Sequence, residues 1–417
     1  MQSINFKVLA DNIKAWGKSL GFQQVGIADI DLSQHQAALH SWVEKGYHGS
    51  MSFFERNSHK RLQPEQLVPG TLRIISVRMN YLPREAKFAR TLSQPHTAFV
   101  SRYALGKDYH KLMRKRLKQL AQKIERYCEL EFSFHPESDA QGSALSYRPF
   151  VDSAPVLEHA IAEKAGLGWT GKHSLTINKD AGSWFFLGEL FINLPLPIDQ
   201  PVEEGCGTCN ACMSICPTQA IVAPYTVDAR KCISYLTIEH EGAIPEEFRS
   251  AMGNRIYGCD DCQLVCPYNK DSHQSEESAF QAREELDKSS LLSLFNWSQD
   301  TFLSRLEGSP IRRIGIKKFK RNVSVAIGNA PFCATYTEAL ESALKHEKDD
   351  VLIEHYRWAL ASQYAKKGAI DVSQGKAQER ETEELCTLTK NVSTTEDISR
   401  QQARLVRIIE KGLPRDA

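Results

Sequence analysis

Apolar positions recur with helical period at the start of the chain, where Phe6, Leu9, Ile13, Trp16 and Leu20 share one face and Gly21 supplies a stop. The pattern then predicts a short strand at Val25–Ile27 and a helix opening at Ser33, running through Val43 and ending near Gly46. Arg73–Tyr81, with Ile74, Ile75, Val77 and Met79 closed off by Pro83, reads as a buried strand. Asp108–Tyr127 places Leu112, Leu117, Leu120 and Ile124 at helical spacing among Lys and Arg. Irregular chain with a polar insertion at Pro136–Gly142 follows, then a strand through Arg148–Val151 and a helix with Leu157 and Ile161 that Gly166 and Gly168 break. Leu175–Ile177 and Trp184–Ile192 are predicted to pair around a turn at Asp180-Ala181-Gly182. This mixed order implies an α+β or α/β sheet domain of about 200 residues. Pro195, Pro197 and Pro201 punctuate a linker into a cysteine-rich stretch. After the polar segment Asp271–Lys288, the helical patterns Ile311–Ala330, Thr337–His346 and Val351–Ala365 are expected to pair as hairpins. A faint likeness between Arg321–Ala326 and Arg357–Ala361 fits a HEAT-like repeat. Beyond Gly368 the chain reads as a polar, partly disordered tail with a short helix around Ala403–Glu410.

The 417 residues carry 52 Lys+Arg against 51 Asp+Glu and are 41% hydrophobic, which excludes disordered and collagen-like classes. No apolar run approaches the roughly 18–20 residues that span a bilayer, and the start lacks secretory and twin-Arg features, so a cytoplasmic protein with no membrane partner is expected. A net charge of +1 argues against a uniformly basic nucleic-acid binder. Charge is nonetheless uneven. Arg305, Arg312, Arg313, Lys317, Lys318, Lys320 and Arg321 lie within 17 residues, opposed only by Glu307. Such a run is either a solvated helix face or a polyanion site of the kind RNA uses.

Eight of the 11 cysteines fall between Cys206 and Cys266. In a reducing compartment that density reads as metal binding or catalysis rather than disulfides; Cys128, Cys333 and Cys386 stand alone and read as small buried hydrophobes. Cys206-x2-Cys209-x2-Cys212-x3-Cys216-Pro217 is the run of bacterial two-cluster ferredoxins, in which three thiolates wrap one cube and the fourth reaches the neighbouring one. Cys259-x2-Cys262-x3-Cys266-Pro267 is one cysteine short of a second run, and Cys232 supplies the missing thiolate. By the crossing rule Cys206, Cys209, Cys212 and Cys266 hold one 4Fe–4S cluster, and Cys216, Cys232, Cys259 and Cys262 the other. Two zinc sites of four thiolates each are the competing assignment, although zinc ribbons use isolated pairs.

Gly166-Leu167-Gly168-Trp169-Thr170-Gly171-Lys172-His173 matches G-x-G-x-x-G and nearly matches a P-loop, but it follows a helix and enters a strand, the wrong context for either. A turn whose glycines admit another backbone or a cofactor fits better. Asp152, ahead of Ser153-Ala154-Pro155, is either a helix N-cap or a carboxylic acid facing a pocket as proton donor.

Taken together, Gly49-x-Met51, Arg56-Asn57, Lys60-Arg61, Arg102-Tyr103-Ala104, Asp108-Tyr109-His110, Asp152-Ser153-Ala154-Pro155-Val156-Leu157-Glu158, Gly171-Lys172, Gly182-Ser183-Trp184 with Gly188-Glu189, the cysteine module and Arg321-Asn322-Val323-x-Val325-Ala326-Ile327-Gly328-Asn329 resemble the epoxyqueuosine reductase family over about residues 1–366. The resemblance implies an α+β chain: an N-terminal α/β cobalamin-binding catalytic domain (1–195), a bacterial two-cluster ferredoxin-like module (196–275), a HEAT-like helical tRNA-binding region (276–368) and a polar tail (369–417). It implies an oxidoreductase that converts epoxyqueuosine at the tRNA wobble position to queuosine. Electrons pass from a low-potential donor through two 4Fe–4S clusters to cobalamin, and Asp152 donates a proton. Arg56, Tyr103, Lys172 and Thr176 fall in segments that line the corrin in the family, with Asp152 beside it. Arg312, Arg313, Lys317, Lys318, Lys320 and Arg321 would grip the tRNA. The chain is expected to act as a monomer. His173 stands where the family pattern suggests Asn, and no protein histidine is expected on cobalt. A reductive dehalogenase and a non-catalytic electron-transfer protein are the alternatives.

Overall fold

The computed structural model describes residues 5–84, 88–132, 145–270, 272–373 and 395–412. In chain order its strands are β1 (Gln24–Ala28), β2 (Arg73–Asn80), β3 (Phe99–Val100), β4 (Tyr147–Phe150), β5 (Trp169–Thr170), β6 (Thr176–Ile177), β7 (Phe185–Ile192), β8 (Ile221–Ala223), β9 (Thr226–Val227) and β10 (Arg255–Tyr257). Four of them form an antiparallel sheet in the order β1-β2-β7-β4. Its central strands are apolar almost throughout because both faces are covered. Side chains alternate across a strand, so Ile75, Val77, Phe186 and Leu190 pack under helices Phe6–Ser19 and Tyr109–Phe132. Ile74, Phe185, Leu187 and Phe191 pack on the opposite face, against helix Glu158–Lys164.

One strand pairing differs from expectation. β6 pairs with β5 (Thr170↔Thr176), while β7 joins β2 and β4. The Asp180–Gly182 turn does form, with a bridge between Asn178 and Gly182, but the chain beyond it departs for the larger sheet, where a strand apolar but for Glu189 can bury both faces. In the glycine-rich segment a Cβ on Gly168 would lie 2.2 Å from the Ile177 carbonyl oxygen. Close backbone approach is therefore the role of that glycine.

Helices Gly315–Asn329, Ala334–Leu344 and Asp350–Ser373 share a second core with the cysteine region. Ala98, Val100, Ala104 and Leu105 belong to it too, and β3 pairs parallel with β10. The cores thus cross the segment boundaries suggested by composition. The expected loose tail is more ordered where it is described: the helix Asp350–Ser373 passes Gly368, and helix Thr395–Gly412 buries Leu405 and Ile409 in the first core. Gln401 and Gln402 donate to the Ile215 and Leu92 carbonyls at 3.1 and 2.6 Å. Cys128 is buried as expected, Cys333 is partly exposed, and Cys386 and the insertion at Pro136–Gly142 lie outside the described residues. Among the described residues no helix is long and apolar enough to cross a membrane.

Candidate active site

Where the sheet domain meets the cysteine region, a cavity of about 430 Å³ opens. Asp152, Glu158, His159 and Tyr109 line one side of it, and Cys216, Cys232, Cys259 and Cys262 the other. His173, Thr176, Tyr103 and the apolar side chains of Leu175, Phe185, Leu187, Ile221 and Val227 complete the wall.

Asp152 follows β4 at φ +56°, a left-handed backbone that a non-glycine residue holds only when its surroundings enforce it. Three contacts do so. Its N–H donates to Glu158 Oε1 at 2.6 Å, while its Oδ2 accepts from Tyr109 Oη at 2.8 Å and lies 3.2 Å from His110 Nε2. The capping reading fails, because helix Glu158–Lys164 begins after Leu157 and has no side-chain cap. The Asp152 side chain is 58% exposed, and its open face looks into the cavity. Enclosure opposes its ionisation, yet hydrogen bonds from His110 and Tyr109 and the charges of His110 and Arg313 hold it below the ordinary carboxylate range.

His110 is the hub of this corner. Nδ1 lies 2.6 Å from Asp108 Oδ1, so carboxylates face both ring nitrogens. Burial works against the imidazolium and Arg313 repels it, but the bonds to Asp108 and Asp152 outweigh both and raise its pKa. Arg313 reaches in from the helical region, pairs with Asp108 Oδ2 at 2.8 Å and touches the same imidazole. Tyr109 stacks on Phe186, with ring centroids 3.7 Å apart, and burial keeps its phenol protonated.

On the facing wall His159 Nδ1 accepts from Thr176 Oγ1 at 2.7 Å and from the Thr176 N–H at 3.2 Å; His173 Nδ1 accepts from the Leu175 N–H at 3.1 Å. Both rings are neutral: burial lowers His159, and drives His173 down to about 4. With each Nδ1 accepting, the proton sits on Nε2. His173 Nε2 is buried with no partner among the described residues. A buried donor left open in an otherwise satisfied wall is what a bound polar ligand would complete.

The eight cysteines fall into two groups. Burial pushes the Cys266 thiol up to about 11, and its charged neighbours are Cys206, Cys212 and Cys209; Cys262 is likewise raised, with Cys232 and Cys216 acting on it most strongly among the cysteines. A buried thiol becomes a thiolate where a metal or another positive charge compensates it. Among the described residues no three His, Cys, Asp or Glu side chains converge on a point that would hold a single ion; Cys216, Cys232, Cys259 and Cys262 instead border a shared volume. Cys209 is exposed, so the first group reaches the surface while the second faces the cavity. The Ala220 N–H donates to Cys216 Sγ at 3.2 Å, and the buried pair Arg255–Asp261 braces the loop holding Cys259 and Cys262.

Other expected site residues lie elsewhere. Tyr103 and Thr176 line the cavity, but Arg56 and Lys172 do not. Arg56 is exposed at the end of helix Phe53–Arg56. Lys172 donates to the carbonyls of Gly207 and Cys209 at 2.5 and 2.9 Å, which braces the first cysteine loop. Arg321 is fully buried and donates to the carbonyls of Leu236, His240 and Gly242; it is structural, since a side chain sealed from solvent cannot meet a phosphate. Lys318 is tied to Glu241, Lys317 to Asp349, and Lys320 lies over Phe295; Arg312 and Arg313 are exposed. Tyr109, His110, Glu158 and His159 were not expected at the site. Glu189, one of the residues that carry the resemblance and the lone carboxylate within the apolar run of β7, was the sequence signal for this corner, though no role was expected of it.

Residues 61–153 match the family model described as epoxyqueuosine reductase QueG, DUF1730, and residues 205–269 match the 4Fe-4S double cluster binding domain. The epoxyqueuosine reductase of Salmonella typhimurium is 55% identical over 416 residues, covering 99% of this chain and 98% of that protein. The chain belongs to the epoxyqueuosine reductase family. The family likeness extends through the C-terminal helix, beyond the 1–366 on which the motifs rest. A solved epoxyqueuosine reductase from Bacillus subtilis, with its catalytic aspartate loop swung out of the active site, is 25% identical with TM-score 0.76, covering 97% of this chain and all of that one. Another, holding a tRNA-Tyr epoxyqueuosine-modified stem loop, has the same fold at 24% identity and TM-score 0.75, again covering 97% of this chain and all of that one. The family's cofactors are two 4Fe–4S clusters and cobalamin.

Proposed function

We propose that this chain reduces epoxyqueuosine to queuosine in tRNA, with Asp152 handing a proton to the oxygen of the opening epoxide. The observation that carries this reading is one cavity with a strained, hydrogen-bonded carboxylate on one wall and four cysteines on the other. An opening epoxide develops alkoxide charge, so an acid held against it stabilises the transition state. Asp152 is itself held ionised, while His110 is biased toward its charged form. The first proton therefore rests on His110 and reaches the substrate through Asp152.

Cys206, Cys209, Cys212 and Cys266 would hold one cluster near the surface at Cys209, and Cys216, Cys232, Cys259 and Cys262 the other beside the cavity, and the pair would supply electrons from a low-potential donor. Cobalamin supplies the low-potential metal chemistry when bound. His173 and His159 would hold its polar periphery through Nε2–H, with Thr176 fixing His159, and Tyr103 and the apolar residues would pack its ring. Residues 1–195 form the catalytic domain, 196–275 the electron module and 276–368 a HEAT-like tRNA-binding region. Arg312, Arg313 and Lys317 are exposed, and phosphates of the anticodon stem-loop would meet them. Cavity and both cysteine groups are complete within one chain, which supports a monomer acting in the cytoplasm, where tRNA is.

Deleting the gene tests the reading: tRNA nucleosides should then accumulate epoxyqueuosine and lack queuosine. Unchanged queuosine would refute it.

A further inference from the structure

Removing the oxygen of an epoxide as water, to leave an alkene, consumes two electrons and two protons. Clusters held by the eight cysteines would supply the electrons. The Asp152–His110 couple accounts for one proton, carried on the imidazole. A second must come from elsewhere in a cavity that the bound cofactor and nucleotide would close to solvent.

The geometry points to Glu158, backed by Glu189, as the acid that supplies this second proton. The inference rests on the function proposed above and assigns a further residue to the same site. Glu158 opens helix Glu158–Lys164 and lines the cavity beside Asp152, and its Oε1 accepts the Asp152 N–H at 2.6 Å. Behind it Glu189 is fully buried on β7, on the sheet face that helix Glu158–Lys164 covers. Ser76 Oγ donates to Glu189 Oε1 at 3.4 Å, and among the described residues no hydrogen-bond donor reaches the buried Glu189 Oε2. Two carboxyl groups in contact, one of them sealed in apolar side chains, cannot both be ionised. The buried Glu189 therefore keeps its own proton, and Glu158 can donate a second one without leaving both ionised.

The groups that face Glu158 are Asp152 and Glu189, which disfavour its charge, Tyr109, His110 and Arg61 from two other helices, and His159 from its own. Burial first, and then the Asp152 carboxylate, push Glu158 up to about 7, and Glu189 is raised well above its ordinary range. A carboxylic acid poised near neutrality is suited to donate within a turnover and to be recharged afterwards. The balance closes as follows: the proton from His110 passes through Asp152 to the epoxide oxygen as its first C–O bond breaks. The proton from Glu158 joins the same oxygen as the second C–O bond breaks and water departs. Two electrons from the donor complete the alkene.

The test is single-turnover reduction of tRNA carrying epoxyqueuosine by reconstituted holoenzyme across the neutral pH range, for the wild type and for Glu158→Gln. Glutamine keeps an oxygen to accept the Asp152 N–H, so the loop stays anchored while the acid is lost. In the wild type the rate should fall as pH rises through about 7. In Glu158→Gln it should be about 100-fold lower, the low end of what a positioned acid contributes, and the Glu158 step should vanish to leave only the fall set by the raised pKa of His110, with iron and cobalt content unchanged. A variant that keeps the wild-type rate and inflection would overturn the proposal. Should the variant lose its cofactors, infrared difference spectra of the wild-type holoenzyme decide instead. A protonated-carboxyl band titrating near neutrality supports the acid pair, and the absence of such a band overturns it. Wild-type enzyme inert on this tRNA would instead refute the function on which the inference rests.

Discussion

His110 Nε2 stands 3.2 Å from Asp152 Oδ2, and the opposite ring nitrogen is held by Asp108 at 2.6 Å. The imidazole is thereby clamped between two carboxylates and kept charged at a pH where a free histidine would not be. Replacing His110 with Gln should lower the single-turnover rate by about 100-fold. Wild-type activity needs the protonated ring, so this dependence is present below the raised pKa of His110 and lost as pH rises through it. A His110→Gln variant with full activity would remove the relay.

Asp152→Ala should abolish queuosine formation while leaving iron and cobalt content unchanged, because Asp152 caps no helix and the cavity wall survives its loss. Loss of bound cofactor in this variant would assign Asp152 a structural part instead.

Arg321 separates folding from recognition. Arg321→Ala should leave the carbonyls of Leu236, His240 and Gly242 without donors, each costing about 1–3 kcal/mol. The denaturation midpoint should fall sharply, and the salt dependence of tRNA binding should stay as it was. Replacing Arg312, Lys317 and Lys320 together should do the reverse, weakening tRNA binding and flattening its dependence on salt.

Cys232 lies outside both cysteine runs, so it tests the ligand assignment. Cys232→Ala should reduce iron and acid-labile sulfide by about half, with one cluster retained. Full iron content would reassign the eighth ligand.

Regular elements were largely legible because the pattern of apolar residues reports which faces are covered: β1, β2 and β7, and the helix beginning near Asp108, lie close to where the periodicity puts them. The pairing of β6 was not, since strand partners are settled by distant packing rather than by local pattern. The cysteines were legible because their spacing is itself the chemistry. Charge was the poorer guide. Arg321 and Lys172 look like any surface cations in sequence, yet one is sealed in a core and the other caps a loop. Arg313 has a third fate, crossing from the helical region to Asp108 and His110. Glu158 and Glu189 are 31 residues apart in sequence, and only the packing of helix Glu158–Lys164 on β7 brings them together.

The most direct measurement weighs the substrate. Reconstituted protein with both clusters and cobalamin, given a strong reductant and tRNA bearing epoxyqueuosine, should release a nucleoside lighter by one oxygen atom and identical to queuosine. A nucleoside of unchanged mass from fully loaded, fully reduced protein would contradict the account.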